Sequence, residues 1–240
     1  MKPFLSVIIP AKNEAKRLPL TLIDIDRHLK QAEYSSEIIV ISDGSTDRTV
    51  EIVTRLSGLV KNLKCIANET NHGKGFVVRQ AMRAANGNYR LFTDADNSTS
   101  IDQFEKMLPF FKEGYDVVIG SRGIRGARLE PPQPWYRQML GRASNLLIRA
   151  LVAPGIHDTQ CGFKCFSEEA AEKIFPRMTI DRWGFDIEAI ALAKRYGYTV
   201  KEMPVRWVND IRSTLGANAY FLTLRDLVSI KWNMMRNIYD

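Results

Sequence analysis

Phe4-Leu5-Ser6-Val7-Ile8-Ile9-Pro10 decides the fold. The run is apolar and β-branched without alternation, the pattern of a strand buried on both faces inside a parallel sheet. Pro10 stops it, residues 11–17 form a polar turn, and Leu18, Leu22, Ile25 and Leu29 then recur at helical spacing. The same unit repeats outward. Strands are predicted at 37–42, 63–67, 89–93 and 116–121, with helices to Leu56 and over 76–85 and 101–111 between them. Ser45 or Thr46 is the expected N-cap of the second helix. Strand-helix alternation with short links predicts a doubly wound, Rossmann-like α/β domain with a mainly parallel sheet and right-handed crossovers.

Ligands of such sheets sit outside the carboxyl ends of the strands. Every polar cluster of the first half falls there: Lys12-Asn13-Glu14, Asp43-Gly44-Ser45-Thr46-Asp47, Asn71-His72-Gly73-Lys74-Gly75, Asp94-Ala95-Asp96-Asn97-Ser98 and Ser121-Arg122. Asp94 and Asp96 leave a strand two residues apart and so point the same way. Two acids on one side suit a hard divalent cation, Mg²⁺ or Mn²⁺, which in turn holds a diphosphate. The plain alternative is a polar strand exit, since Asp, Asn and Ser are ordinary turn residues. Neither a Gly-x-Gly-x-x-Gly nor a Gly-x-x-x-x-Gly-Lys-Ser/Thr motif occurs, which argues against dehydrogenase and P-loop chemistry.

After Arg122 the alternation stops, dividing the chain into two differently organised halves, 1–122 and 123–240, of one compact domain. Residues 123–134, rich in Gly, Pro and Arg, read as a mobile loop. The net charge of +7 concentrates here: six arginines lie between Arg122 and Arg149 against the single acid Glu130. Arginine forks suit phosphate oxygens. A nucleic-acid partner is disfavoured, because aromatics beside this basic segment are limited to Trp135-Tyr136 and the acidic loops stay unexplained. The final helix, 220–239, places Phe221, Leu224, Val228, Trp232, Met235 and Tyr239 on one face, to be packed against the domain or laid in a membrane interface. No apolar run approaches the ~20 residues that cross a bilayer. The seven-residue run after Met1-Lys2-Pro3 is too short for a signal peptide, and three cysteines without an export signal point to free thiols. The expected location is cytoplasmic, peripheral on the membrane face.

Together the loop motifs resemble the family 2 glycosyltransferases of the GT-A fold. Those that carry the likeness are Val7-Ile8-Ile9-Pro10-Ala11-Lys12-Asn13-Glu14, Asp43–Asp47, Asn71–Gly75 and Asp94-Ala95-Asp96. Gly120-Ser121-Arg122, Trp135-Tyr136-Arg137, Asp158-Thr159-Gln160-Cys161-Gly162-Phe163-Lys164, Arg182–Glu188 and Pro204-Val205-Arg206-Trp207 resemble the polyprenyl-phosphate sugar transferases, above all the dolichyl-phosphate β-glucosyltransferases. The resemblance implies a nucleotide-sugar pocket of Pro10, Ala11, Asn13, Glu14, Asp43, Gly44, Ser45, Gly73, Lys74, Arg79, Asp94, Ala95 and Asp96. It implies a metal on Asp94 and Asp96, and an acceptor phosphate on Ser121, Arg122, Arg137 and Arg142. Gln160, Gly162, Trp183 and Asp186 would shape the sugar pocket, with Asp96, Arg122 and Asp186 catalytic. Mannose synthases of the group add a metal ligand two residues after the second aspartate; here that position is Ser98, a weaker ligand.

The implied reaction is inverting transfer of glucose from UDP-glucose to a dolichyl or undecaprenyl phosphate. Membrane contact is expected through 122–149, with 220–239 as a second candidate element. A phosphate nucleophile is already anionic and needs no base. Two alternatives stay open: a mannosyltransferase-like enzyme using GDP-mannose, and a hydroxyl acceptor, such as a polysaccharide, with Asp186 as base. The other role open to Asp186 is an N-terminal helix cap.

Overall fold

The computed structural model describes residues 2–131, 135–208 and 217–240. The first half alternates as expected: β1 (Leu5–Ala11), α1 (Leu18–Gln31), β2 (Ser36–Asp43), α2 (Thr49–Leu56), β3 (Leu63–Asn68), α3 (Lys74–Ala84) and β4 (Tyr89–Thr93). A 3₁₀ turn (Ile101–Phe104), α4 (Leu108–Lys112) and β5 (Val117–Ser121) follow. The second half supplies β6 (Arg128–Glu130), α5 (Trp135–Leu151), β7 (Phe163–Ser167), α6 (Glu168–Ile174), α7 (Phe185–Arg195), β8 (Val200–Pro204), β9 (Arg206–Val208) and α8 (Ala217–Met235).

One seven-stranded sheet runs in the order β3-β2-β1-β4-β7-β5-β8. Its strands are parallel except β7, which lies antiparallel between β4 and β5. β7 and β8 therefore draw the second half into the sheet of the first. Because β7 runs backwards, its first residue stands beside the carboxyl end of β4, with Phe163 opposite Thr93 and Lys164 opposite Phe92. The turn before β7 is thus delivered to the edge where the neighbouring strands end.

Both faces of the sheet are buried, which is why β1 reads as apolar without alternation. Leu5, Val7 and Ile9 pack with Leu18, Leu22 and Ile25 of α1 on one side. On the other, Ile8, Ile39 and Phe92 pack with α3, α6 and α7. α1 presents to the sheet the four positions expected from its periodicity, all buried.

Four local expectations are corrected. The helix expected over 101–111 is split, and Pro109, which cannot donate into a continuing helix, sits in the first turn of α4. α2 begins at Thr49, and its amide is taken by the Asp47 carboxylate at 2.9 Å; Ser45 accepts the Asn13 amide instead of capping. Segment 123–134 is not simply a loop, since β6 pairs in parallel with β9. In α8 the buried side is Thr223, Asp226, Leu227 and Ile230, while Leu224, Val228, Trp232 and Met235 face outward. Tyr239 leaves that stripe altogether: it lies beyond the helix, fully buried, its hydroxyl donating to Glu188 at 2.7 Å. The Phe221 side chain lies outside the described residues.

Glu37 closes the opposite edge of the sheet. Its carboxylate accepts from Ser6 Oγ at 2.7 Å, from the Asn86 amide at 2.8 Å and from Lys64 Nζ at 2.8 Å. Burial works against its ionisation, but the Lys64 ammonium, the Asn86 amide and the Ser6 hydroxyl together hold it below its ordinary 4.5. A depressed carboxylate contributes its stability above the unfolded value and loses it as pH falls through the folded one. Glu37→Gln is expected to lower stability by about 1–2 kcal/mol at pH 7. In urea titrations the gap to the wild type should close as pH falls below the ordinary carboxylate range. A gap that persists at pH 3 would refute this account.

Candidate active site

The expected edge loops are stitched to one another in sequence around the strand ends. Asn13, held at φ 56°, accepts the Thr46 amide on its side-chain oxygen at 2.8 Å and donates its own amide to Ser45 Oγ at 3.1 Å. Asp43, at the end of β2, accepts the His72 and Gly73 amides, one on each oxygen at 2.8 Å. Gly73 sits at φ +107°, and a Cβ there would lie 2.4 Å from the Asp181 carbonyl oxygen, so a larger residue would displace this joint. Gly44, at φ +62°, presses against the 70–71 backbone in the same way. Asp43 itself is buried, with His72 Nδ1 3.6 Å from its Oδ1.

The residue after Gly73, Lys74, begins α3. Its Nζ donates to Asp94 Oδ1 at 2.5 Å. Burial disfavours this ammonium, but Asp94, Asp186 and Asp96 outweigh it and raise the Lys74 pKa. The other side of Asp94 is closed by the turn before β7: the Asp94 amide donates to the Gly162 carbonyl at 3.2 Å, and a Cβ on Gly162 would fall 1.8 Å from Asp94 Oδ2. Asp96 accepts the Ser98 amide at 3.0 Å, and the neighbouring Asn97, at φ 55°, ties the loop to Asp24 of α1 at 3.0 Å. Ala95 is buried, its carbonyl accepting from Thr21 Oγ1 at 2.8 Å.

The remaining expected residues divide. Pro10 and Ala11 are buried at the end of β1. Glu14 holds Arg17 through both carboxylate oxygens, at 2.7 and 2.5 Å. Arg79 donates to the Met178 carbonyl at 2.9 Å and to Asp181 at 2.7 Å, and so braces the 178–181 segment whose backbone packs against Gly73. Ser121 is fully buried, its hydroxyl taken by the Gly123 amide at 3.4 Å. Arg122 forks onto Asp158 through Nε at 2.7 Å and Nη2 at 3.0 Å, and stacks 4.8 Å over Trp207. Burial opposes both charges, yet Arg122 holds the Asp158 carboxyl down to about 2. Nη1 lies outside that fork. Gln160 donates its backbone N–H to Asp158 Oδ1 at 3.1 Å, and Trp183 is half exposed with its ring 5.6 Å from Lys74 Nζ. The side chains of Arg137 and Arg142 lie outside the described residues.

One residue of the quoted motifs was given no role. Lys164, the second residue of β7, is 1% exposed, and its Nζ donates to Asp186 Oδ1 at 2.5 Å and to the Cys161 carbonyl. Asp186 is in the first turn of α7 but serves no cap. The signal was a lysine inside the strand-like Phe163-Lys164-Cys165-Phe166, where an unpaired charge is not tolerated. Burial raises the Asp186 pKa against the pull of Lys164 and Lys74. Burial also pushes the Cys161 thiol up to about 12, which favours its neutral form.

Among the described residues no group of three or more His, Cys, Asp and Glu converges on one point. Asp94 and Asp96 would be the ligands from the protein, with diphosphate oxygens and water completing the shell. Mg²⁺ is commonly held in this manner, by one or two carboxylates plus substrate phosphates. The donor set therefore fits a hard divalent ion rather than zinc.

Comparison with known proteins agrees with this geometry. A model of the family "Glycosyl transferase family 2" matches residues 6–175. A dolichyl-phosphate beta-glucosyltransferase of Dictyostelium discoideum is 34% identical over 98% of this chain and 76% of its own length. The human protein of that name is 30% identical over 93% of this chain and 76% of its own. Among solved structures, glucosyl-3-phosphoglycerate synthase of Mycobacterium tuberculosis, in complex with Mn²⁺, UDP-glucose and glycerol 3-phosphate, superposes with a TM-score of 0.66. It is 20% identical, over 95% of this chain and 80% of its own, a likeness of fold. With its sheet order, its edge loops and these matches in agreement, the chain belongs to glycosyl transferase family 2 and has the GT-A fold.

Proposed function

We propose that the protein transfers glucose from UDP-glucose to a polyprenyl phosphate, with inversion and with a divalent metal, at a membrane surface. The observation that carries the reading is the Lys74–Asp94 pair with Asp96 beside it at the carboxyl end of β4. It is supported by relatives whose printed name is dolichyl-phosphate beta-glucosyltransferase, matched over most of both chains.

Asp43, Asn13 and the glycine turns shape the nucleoside pocket. Asp96, with Asp94, would hold the metal, which when bound would supply Lewis-acid neutralisation of the diphosphate. Lys74 stands beside the same diphosphate. An acceptor phosphate oxygen attacks C1 of glucose as the bond to the diphosphate breaks, and the electron pair leaves with UDP. No proton is transferred, so no base is needed. Arg122, locked by Asp158 and Trp207, presents Nη1 as a fixed donor for the acceptor phosphate. Arg137 and Arg142 belong to the same basic segment.

α5 and α8 supply the membrane side of this reading. Leu146, Leu147 and Leu151 on α5 and Leu224, Val228, Trp232 and Met235 on α8 are exposed. Lys231 of α8 donates to the Leu151 carbonyl at 3.1 Å and joins the two helices. Arg149, Arg225, Lys231 and Arg236 accompany them, and the only acid on α8, Asp226, is buried. An apolar face set among cations suits the boundary of an anionic bilayer. Among the described residues no helix is long and apolar enough to cross a membrane.

Labelled UDP-glucose, Mg²⁺ or Mn²⁺ and a short polyprenyl phosphate are expected to place label in the extracted lipid phase. Label confined to a water-soluble polymer would overturn the acceptor, and faster transfer from GDP-mannose the donor. Asp96→Asn is expected to lower kcat by about 10²–10³-fold. Gly162→Ala, which drives a methyl group into Asp94, is expected to abolish the rise in Tm given by UDP with Mn²⁺ while leaving circular dichroism unchanged. Flotation with anionic vesicles should carry the wild type, while Val228→Glu/Trp232→Glu stays behind with UDP affinity intact. Equal flotation of both would refute the α8 contact.

A further inference from the structure

Lys164 has no place in the chemistry above, yet it is a lysine enclosed at 1% exposure next to the reacting centre. Its Nζ is bonded to Asp186 Oδ1 at 2.5 Å and to the Cys161 carbonyl, and it lies 5.7 Å from the centre of the Phe92 ring. Lys74 Nζ lies 5.2 Å from the same ring and is bonded to Asp94. The two ammonium groups thus share Phe92 as a common wall, and Lys74 Nζ also lies 5.9 Å from the ring of Phe185, the residue before Asp186. Lys74 pairs with Asp94 and Lys164 with Asp186, so the two ion pairs stand side by side without a direct bond between Lys74 and Asp186. An enclosed ion pair is a poor source of stability, because desolvation offsets its attraction. What such a pair does supply is a charge at a fixed place.

We infer that Lys164 is a positioning residue for sugar transfer: it fixes the Asp186 carboxylate beside the Lys74–Asp94 pair, so that a second negative charge faces the Lys74 ammonium where the leaving diphosphate gains charge. Asp94 alone would fix Lys74 on one side, and a metal ion competes for that carboxylate. Asp186, secured from behind by Lys164, keeps a second negative charge near the ammonium that the metal does not take. β7 supplies Lys164 from directly opposite Phe92, and α7 supplies Asp186 from its first turn. The inference rests on the leaving-group role of Lys74 in the proposed function.

The test is a double-mutant cycle in the full-length protein with Lys164→Met, Asp186→Asn and the pair combined, plus Lys164→Arg as the conservative replacement. Transfer to polyprenyl phosphate and slow hydrolysis of UDP-glucose by water are both measured, since both release the same leaving group. Binding stoichiometry for UDP with Mn²⁺ counts the folded sites. Lys164→Met and Asp186→Asn are each expected to lower kcat per folded site by about 10–100-fold with donor KM changed only a few fold. The combined variant, which leaves no unpaired charge inside, is expected to be no slower than Asp186→Asn alone. Lys164→Arg should recover part of the loss. Losses that multiply in the combined variant, a Lys164→Met enzyme within about threefold of wild type, or a fall in kcat matched by a fall in UDP stoichiometry would each overturn the inference. A wild type that hydrolyses UDP-glucose but transfers to no lipid phosphate would instead overturn the acceptor, and the cycle would still be read on hydrolysis.

Discussion

Lys74 and Asp94 meet at 2.5 Å at the mouth of the sheet, and most of the catalytic edge is arranged to make that contact. Lys74 is the first residue of α3, so its position depends on Gly73, whose backbone is clamped by Asp43 and by contact with residue 181. Asp94 follows β4, and its free side is closed by Gly162. The ends of β2 and β4, the start of α3 and the turn before β7 therefore converge on one ion pair. Within it both ends are half enclosed, with side-chain exposures of 23% and 22%, so a bound diphosphate can reach them while bulk water screens them less than at the surface.

Charge is arranged with the same discipline deeper in the site. Asp186 is paired with Lys164, Asp158 with Arg122, and the Asp158 backbone is itself held by Glu202 at 2.9 Å. Removing one member of such a pair is far more damaging than the pair is stabilising. The pairs fix direction: Arg122 cannot swing, because Asp158 takes one edge of its fork and Trp207 covers its face. A guanidinium so confined gives up little rotamer freedom when a phosphate arrives.

Much of this was legible in the sequence because it follows from local pattern. The unbroken apolar run at 4–10, the helical spacing of Leu18, Leu22, Ile25 and Leu29, and the polar cluster after each strand all express a parallel sheet buried on both faces. Long-range pairing was not legible. Nothing in the spacing of residues 158–164 reveals that β7 enters between β4 and β5 in the reverse direction, so Lys164 and the contact of Gly162 with Asp94 were hidden. α8 misled for a different reason. Its two apolar stripes are offset by about one residue, roughly 100° on a helix, and periodicity cannot say which stripe the domain covers. Thr223 and Asp226 lie on the inward one, where the Asp226 carboxylate accepts the Gly184 amide at 3.1 Å, a contact no hydrophobic count anticipates.

The Arg122–Asp158 fork spans 36 positions of sequence. Residue 122 leaves the sheet at the catalytic edge, and residue 158 returns to it there, so the intervening excursion is buttoned at its base. The excursion is also pinned beyond the button, because its β6 pairs with β9 and its Ile148, Val152, Ala153 and Ile156 enter the core. The stretch between residues 122 and 158 is therefore no free appendage: any exchange of it must keep both the fork at its base and the apolar side chains that it lends to the domain.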